Sequence, residues 1–323
     1  MTSRRFMVVA FATALCCVLS LAASSYLLDA YGLFGRRAHP AVVAYRGERT
    51  TKYLLSYKYI PENFDSLLVG ASISLNMDTK KISVSRVYNA SISGANIFEE
   101  GLIAENVMAR TKLDWLVVCL HPYLTMTHGR RTEYMTPDEY WSAFGSIGLF
   151  VLEASGFMAR HGLAEDHHNE FGDSNYREGL SAEQAQRAMN AYVAERERSG
   201  VPSPNFTLAP GALDDLVRML ETAKHAGTRI LLVYPPIYKA RFDVERNDWE
   251  RYWARVRPLF PADTLVIDFN SSRFDAMRSD ISNFQDSGHL DRHCADQVVL
   301  EIARTLSAQP RSAGANIGRG VMP

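Results

Sequence analysis

Five short apolar stretches alternate with amphipathic helical patterns along most of the chain, and this alternation constrains the fold more than any other feature. The predicted strands are residues 65–70, 86–93, 114–120, 229–236 and 263–269. The helical patterns are residues 96–111, 211–227 and 295–309. Apolar strands of this length, alternating with helices, predict an α/β fold with a parallel sheet that is covered on both faces.

The remaining segments divide the chain into a main domain and its attachments. Residues 30–63 read as a connector before the main domain of residues 64–309. Residues 125–205 interrupt the alternation after the third strand. They read as a helical insertion with caps at Thr136 and Ser181, on the side of the sheet that holds ligands in such folds. The tail, residues 310–323, is expected to be disordered.

The amino terminus is not typical of a globular domain. Two arginines precede an uncharged apolar run over residues 6–28, which is long enough to cross a bilayer as a helix. A cleaved signal peptide is the competing interpretation, with a weak cleavage site near Ala23, and the length favours an uncleaved anchor within residues 1–29. Arg36 and Arg37 oppose the orientation that the first arginines favour, and we expect the body to lie outside the cytoplasm.

Charge and motifs exclude several classes of partner. The formal net charge is −1 and no basic stripe stands out, so nucleic acid is not an expected partner. No GxGxxG follows a strand, and we expect no cofactor. Of the four cysteines, Cys16 and Cys17 lie in the apolar run. Cys119 and Cys294 are either a disulfide pair or two buried thiols, and the sequence leaves this open.

A serine after the first strand is the leading candidate for chemistry. In "VGAS" Gly70 allows a sharp turn, and Ser72 would then lie at the carboxyl edge of the sheet, where ligands bind. The alternative is that Ser72 caps a helix. A serine nucleophile needs a base, and the base needs an orienting group; "FQDSGH" supplies Asp286 and His289 at a spacing that one loop can present together.

These motifs together resemble the SGNH (GDSL-like) hydrolase superfamily. The matching residues are Gly70 and Ser72 after the first strand, Gly94 after the second, and Asp286 with His289 before the last helix. The sequence at these motifs resembles a membrane-anchored branch of the superfamily that includes alginate-type O-acetylation proteins. The resemblance spans roughly residues 64–305 and implies a flavodoxin-like three-layer sandwich with the strand order 2-1-3-4-5.

The resemblance also implies a role for each matched residue. Ser72 would be the nucleophile, His289 its general base, and Asp286 the group that orients His289. The backbone N–H groups of Ser72 and Gly94 would form the oxyanion hole. Better-known members carry G-x-N-D after the third strand, whereas this chain has "CLHP". His121 falls at the position of that Asn and its ring is a candidate donor, but the preferred interpretation is that the third donor comes from elsewhere or is missing.

Other polar and aromatic clusters have simpler interpretations. The cluster at residues 165–170 fits a charged loop better than a metal site, and no metal is expected. His293 is interpreted as part of the last helix. Aromatic groups at residues 139–141 and 249–253 would stack on sugars or, as we prefer, pack helices.

Two functions from different classes follow from these features. The first is a membrane-anchored esterase or O-acyltransferase that modifies an exported polysaccharide through an acyl-serine intermediate. The second is an inactive relative that binds a glycan, or a partner protein, within a polysaccharide assembly complex. The missing Asn motivates the second, because loss of one oxyanion donor costs about 100- to 1000-fold in rate.

Overall fold

A single parallel sheet organises the molecule. The computed structural model describes residues 3–28, 48–126, 145–160, 163, 168–174, 181–200, 203 and 206–310. The order β2-β1-β3-β4-β5 confirms the predicted fold class. The strands are β1 (Ser66–Gly70), β2 (Val87–Asn89), β3 (Trp115–Cys119), β4 (Arg229–Tyr234) and β5 (Leu265–Asp268).

Helices precede the sheet, connect its strands and close the chain. In chain order they are α1 (Ser3–Leu28), α2 (Glu48–Leu55), α3 (Tyr59–Asn63), α4 (Ile97–Met108), α5 (Ile147–Arg160), α6 (Ala182–Ser199), α7 (Ala212–His225), α8 (Lys239–Val256), α9 (Asp275–Ser279) and α10 (Arg292–Ser307). Helices α5 and α6 lie within the predicted insertion after the third strand.

Alternate residues of each central strand enter two different hydrophobic clusters. Leu67 and Val69 of β1 belong to the cluster that contains residues of α4 and α7. Leu68 belongs to the second cluster, which contains the apolar face of α10. Since successive side chains of a strand point to opposite faces, the sheet is the middle of three layers.

The segment predicted as a connector is partly structured. Its last residues form α2 and α3, and both helices bury apolar side chains in the core: Tyr53, Leu54, Leu55, Tyr59 and Ile60 are each at most 4% exposed. The connector interpretation was therefore wrong for residues 48–63. Its tyrosines and leucines recur at helical spacing, but the helices are too short to give a strong periodic signal.

Helix ends follow the capping signals in the sequence. Ser181 accepts a hydrogen bond from the Gln184 backbone and begins α6, as predicted. Helix α10 begins at Arg292, earlier than predicted, because the Asp291 side chain accepts from the Cys294 backbone N–H at 2.8 Å. Thr136, residues 139–141 and residues 311–323 of the predicted tail lie outside the described residues.

The helix α1 is long and apolar enough to cross a membrane. Within the candidate span Ser3–Leu27, the most apolar window of 18 residues has a mean hydropathy of 2.4, and none of that window is buried against the rest of the protein. An anchor and a signal sequence both have these properties.

The two cysteines of the α/β domain are free buried thiols. Both Cys119 and Cys294 have fully buried side chains and no disulfide. Burial raises the pKa of each thiol to about 12. Of the two possibilities that the sequence left open, the structure has the unpaired one.

Gly70 is required by close packing at the end of β1. A methyl group added there would overlap Ser74 Oγ and lie 3.1 Å from Cys119 Cβ. Gly70→Ala is therefore expected to lower the free energy of unfolding by about 1–3 kcal/mol. The measurement is urea unfolding, with Gly101→Ala in α4 as the matched control.

Gly101 is also buried, but an added methyl group there meets its nearest neighbour at 3.6 Å, an ordinary contact. Gly101→Ala should leave stability unchanged or raise it by about 0.5–1 kcal/mol, since alanine favours helix. Equal stability of the two variants would contradict the packing argument.

Candidate active site

The register of the sheet brings the predicted site residues to one edge. Gly70 of β1 is paired with Cys119 of β3. Ser72 and His121 each lie two residues beyond this pair, and Gly94 follows β2 on the other side of β1. Because the carboxyl ends of parallel strands share one edge, these three residues gather where open α/β sheets hold ligands.

Ser72 does not cap a helix. It is the first residue of a short 3₁₀ turn, Ser72–Ser74, and Ala71 occupies the cap position without a side-chain hydrogen bond. The hydroxyl of Ser74 holds the turn by donating to the Ala71 carbonyl at 2.9 Å, and it lies 2.8 Å from the Ser91 hydroxyl. The turn leaves the Ser72 hydroxyl free for a contact from another part of the chain.

That contact is with His289. The distance from Ser72 Oγ to His289 Nε2 is 2.8 Å, and His289 Nδ1 lies 2.7 Å from Asp286 Oδ2. The structure thus joins the three residues that the sequence predicted, across 217 positions in the chain. Their catalytic roles stay a prediction, but the geometry is that of a nucleophile, a base and an orienting carboxylate.

The loop that carries Asp286 fixes its carboxylate. Asp286 Oδ1 accepts from the backbone N–H groups of Gly288 at 2.6 Å and His289 at 2.8 Å. The other oxygen is then directed at the imidazole of His289. A carboxylate at Nδ1 favours the tautomer with a proton there, which leaves the Nε2 lone pair for the Ser72 hydroxyl.

A cleft of about 350 Å³ opens over this group. Its walls combine the three strand-end loops with the Asp286–His289 loop, and they include Tyr192 of α6 and Arg241 of α8. The insertion therefore contributes to the cleft, as its position after the third strand predicted. The walls include Ser72, Ser93, Gly94, His121, Tyr123, Tyr192, Arg241 and His289.

Backbone N–H groups of Ser72 and Gly94 are the predicted oxyanion donors, and both residues line the cleft. Ser72 begins its turn, so its N–H has no partner within that turn. Gly94 has φ of +64°, a left-handed conformation that glycine adopts without strain.

His121 is a buried, neutral hydrogen-bond donor in the cleft wall. Its Nδ1 accepts from the Tyr123 backbone N–H at 3.1 Å, so the proton of the neutral ring is on Nε2. Within the described residues, Nε2 is buried without a hydrogen-bond partner. Burial lowers the pKa of His121 to about 3, and the neighbouring Arg241 and His289 act in the same direction.

An unpaired buried N–H destabilises the folded state, because desolvation of a donor costs about 1–3 kcal/mol. The ring is held edge-on to Trp249, with centroids 5.4 Å apart, so it cannot easily rotate to find another partner. His121 therefore carries an N–H without a partner among the described residues in the wall of the cleft, and its role as an oxyanion donor stays a prediction. The sequence could not show this N–H, because the tautomer depends on the local backbone.

Two residues of α2 form hydrogen bonds with the backbone of Ser93, which precedes Gly94. Glu48 Oε2 accepts from the Ser93 N–H at 3.0 Å, and Arg49 donates to the Ser93 carbonyl at 2.8 Å. Arg49 is itself held by Glu99 Oε1 at 3.0 Å. The Ser93 carbonyl and the Gly94 N–H belong to the same peptide group, so these hydrogen bonds set the direction of the Gly94 N–H. Sequence reasoning missed both residues because they lie in the supposed connector.

A buried lysine completes this support. Lys52 is 0% exposed and donates to the carbonyls of Ser91 at 2.5 Å and Gly172 at 2.9 Å. Burial lowers its pKa, and the carboxylates of Glu48 and Glu100 act against that shift. His168 Nε2 lies 3.0 Å from Glu48 Oε1. Helix α2 thus fixes the β2 loop from Ser91 to Ser93.

Arg241 links the cleft wall to the loop of the predicted triad. Its side chain is 4% exposed and donates to Glu245 Oε2 at 3.1 Å and to the Ser287 carbonyl. The guanidinium lies 5.0 Å from the ring of Tyr192, whose hydroxyl donates to Glu245. This arginine was not a candidate in the sequence, since nothing near it resembles a motif.

The other sequence candidates have structural roles where they are described. His168 is buried against Glu48, and residues 165–167 of its cluster lie outside the described residues. No group of three potential metal ligands occurs among the described residues. His293 lies on α10 and contacts Gln297 at 2.7 Å.

The aromatic group at residues 249–253 packs the interior. Trp249 and Tyr252 are at most 3% exposed, and Trp253 stacks on Tyr234 with centroids 3.7 Å apart. These residues therefore support α8 against the sheet, as the preferred interpretation of the sequence had it.

No family model matches the chain, and no curated protein matches it significantly. Among solved structures, it is similar to "a putative platelet activating factor from Streptococcus pneumonia" at 11% identity. The match covers 81% of this chain and 91% of that chain, with a TM-score of 0.40, which is too low to support a conclusion about function.

Proposed function

We propose that the protein is a serine-dependent esterase or O-acyltransferase of the SGNH type. The observation that carries the proposal is the connected series Asp286–His289–Ser72, with both links within hydrogen-bond distance. A hydroxyl that is paired with an oriented imidazole at the carboxyl edge of a sheet is what nucleophilic acyl transfer requires.

The residues support a two-step reaction. Ser72 Oγ attacks the carbonyl carbon of an ester while His289 Nε2 takes the hydroxyl proton. The N–H groups of Ser72 and Gly94, with His121 Nε2–H, hold the negative oxygen. His289 then gives its proton to the departing alkoxide, which leaves an acyl-Ser72 and a free alcohol. In the second step water, or a sugar hydroxyl, attacks the acyl carbon while His289 Nε2 removes the proton of that acceptor. The bond from the acyl group to Ser72 Oγ then breaks, and His289 returns the proton to Ser72 Oγ.

The remaining parts of the proposal concern place and substrate. Helix α1 would act as an uncleaved anchor with the α/β domain outside the cytoplasm, in the periplasm or its equivalent. The substrate would be a polysaccharide or its acyl ester, handled together with other proteins of polysaccharide biosynthesis. The resemblance of the "VGAS" and "FQDSGH" motifs to the membrane-anchored SGNH branch supports these points.

The experiment treats the purified full-length protein with a fluorophosphonate probe and with an activated acetyl ester. Labelling of Ser72, together with turnover, is expected. If neither occurs under conditions where the protein is folded, the inactive glycan-binding or partner-binding alternative stands instead. An oxyanion donor at His121 would supply the contact whose absence motivates that alternative.

Arg49→Ala is predicted to slow catalysis without weakening substrate binding. The substitution removes the hydrogen bond from Arg49 to the Ser93 carbonyl, so the Gly94 N–H should be misplaced. This misplacement should lower kcat about 10- to 100-fold at nearly constant KM. Steady-state kinetics with an acetyl ester measures both constants.

The control is Arg273→Ala, which removes a more exposed arginine–glutamate pair, with Glu301 at 2.7 Å, and neither residue of this pair lines the cleft. It should leave kcat unchanged. A parallel loss of kcat in both variants would show a general effect on stability instead of a positioning role.

A further inference from the structure

Helix α5 of the insertion carries an exposed apolar stripe. Ile147 is 71% exposed, Val151 53% and Met158 41%. At 3.6 residues per turn these three side chains lie within about 40° of one another around the helix axis. Leu149, on nearly the opposite side, is 4% exposed and belongs to the core cluster of the α/β domain. The helix is therefore fixed to the domain by one face and presents an apolar face outward.

The exposed stripe adjoins α1. An apolar groove between the two helices is lined by residues of α1 from Val9 to Ser24 and by Ile147 and Phe150. At the start of α5, the position of a Cβ on Gly145 lies 3.7 Å from Val18 and 3.7 Å from Ala22. The apolar surface of α5 is thus continuous with that of the proposed membrane anchor.

The depth of the contact fits the edge of a bilayer. Helix α1 has 26 residues, about 39 Å at 1.5 Å per residue, against a hydrocarbon core of about 30 Å. Ala22 and Val18 lie about 9 and 15 Å from the carboxyl end of α1. If the excess length of about 9 Å is shared equally by the two ends of α1, the contact at Gly145 lies about 5–10 Å inside the apolar region, the depth at which interfacial helices bind.

The length of α5 excludes a second span. It has 14 residues, and a transmembrane helix needs about 20. Apolar segments of this length are typical of buried or interfacial helices, and the exposure of the stripe excludes the first. A helix that is fixed to the domain, adjoins a span and presents an apolar face fits a lipid surface.

We infer that α5 lies in the membrane interface, in the leaflet at the carboxyl end of α1, with Ile147, Val151 and Met158 among the acyl chains. The domain then has two membrane contacts instead of one flexible tether. This inference rests on the part of the proposed function that makes α1 an anchor, and not on the proposed chemistry.

The test places a polarity-sensitive fluorophore at single cysteines in the full-length protein, reconstituted in lipid nanodiscs. Cys16→Ser and Cys17→Ser remove the exposed native thiols, while Cys119 and Cys294 are buried and should not react. The label is then attached to Val151→Cys or Met158→Cys. Val266→Cys, an exposed valine of β5, is the aqueous control, and a variant that retains Cys16 reports on α1 itself.

Labels at residues 151 and 158 are expected to show blue-shifted emission, quenching by doxyl lipids and protection from iodide. The label at 266 should show the reverse. Protection from iodide without lipid quenching would mean that protein covers the stripe, and would overturn the inference. A lipid-embedded Cys16 label with aqueous labels at 151 and 158 would overturn it while leaving the anchor intact. An aqueous Cys16 label would overturn both.

Discussion

Ser72→Ala is expected to abolish labelling by a fluorophosphonate and to lower the turnover of an acetyl ester by about 10⁴- to 10⁶-fold. The hydroxyl is the only atom of the series that would form a bond to the substrate. Without it, His289 has nothing to activate, and the residual rate comes from the oxyanion donors and binding alone. Intact-mass measurement after brief exposure to the probe or ester tests whether an acyl or phosphonyl group resides on Ser72.

A control variant and a second catalytic variant test whether the loss of activity is specific to Ser72. Ser307→Ala removes an exposed hydroxyl that donates to the Ala303 carbonyl on α10, and it should keep full activity. His289→Ala should lose about as much activity as Ser72→Ala, and the double variant no more than either, because the residues act as a unit. Near-normal turnover by Ser72→Ala would remove the nucleophile from the proposal.

His121→Ala is expected to lower kcat about 100- to 1000-fold, the usual effect of losing one oxyanion donor. In the structure its Nε2–H is buried without a partner in the described residues, and its pKa of about 3 keeps the ring neutral at all working pH values. A neutral donor binds the developing oxyanion more strongly than the uncharged carbonyl, so KM should change little.

Because His121 also contacts Trp249, the alanine variant will lose some packing, and a second substitution separates the two effects. His121→Asn restores an N–H donor of shorter reach and should recover part of kcat. His121→Leu fills the space without a donor and should remain as slow as His121→Ala. Full activity of His121→Leu in a folded protein would show that the oxyanion is stabilised elsewhere.

The sheet and the Ser72–His289–Asp286 series were predictable because they depend on local signals. Apolar strands are visible in sequence, and the "VGAS" and "FQDSGH" motifs mark the ends of elements that a parallel sheet must bring to one edge. The α/β fold class and the strand order were confirmed.

The support of the site was not predictable for a physical reason. Glu48, Arg49 and Lys52 act through partners more than 35 positions away in the chain, and their helix is too short for a clear periodic pattern. The tautomer and the pKa of His121 depend on one backbone hydrogen bond and on burial, and neither can be read from the amino-acid sequence. Motifs thus located the reacting groups but not the residues that hold them.

The buried thiols bear on how the protein matures. All four cysteines lie in the described residues, and the two in the α/β domain have pKa values of about 12, which leaves almost no thiolate to react. The domain therefore needs no oxidant or disulfide isomerase to reach its native state. In the folded domain these two thiols should resist alkylation and oxidation, as burial and a raised pKa both suppress thiolate chemistry.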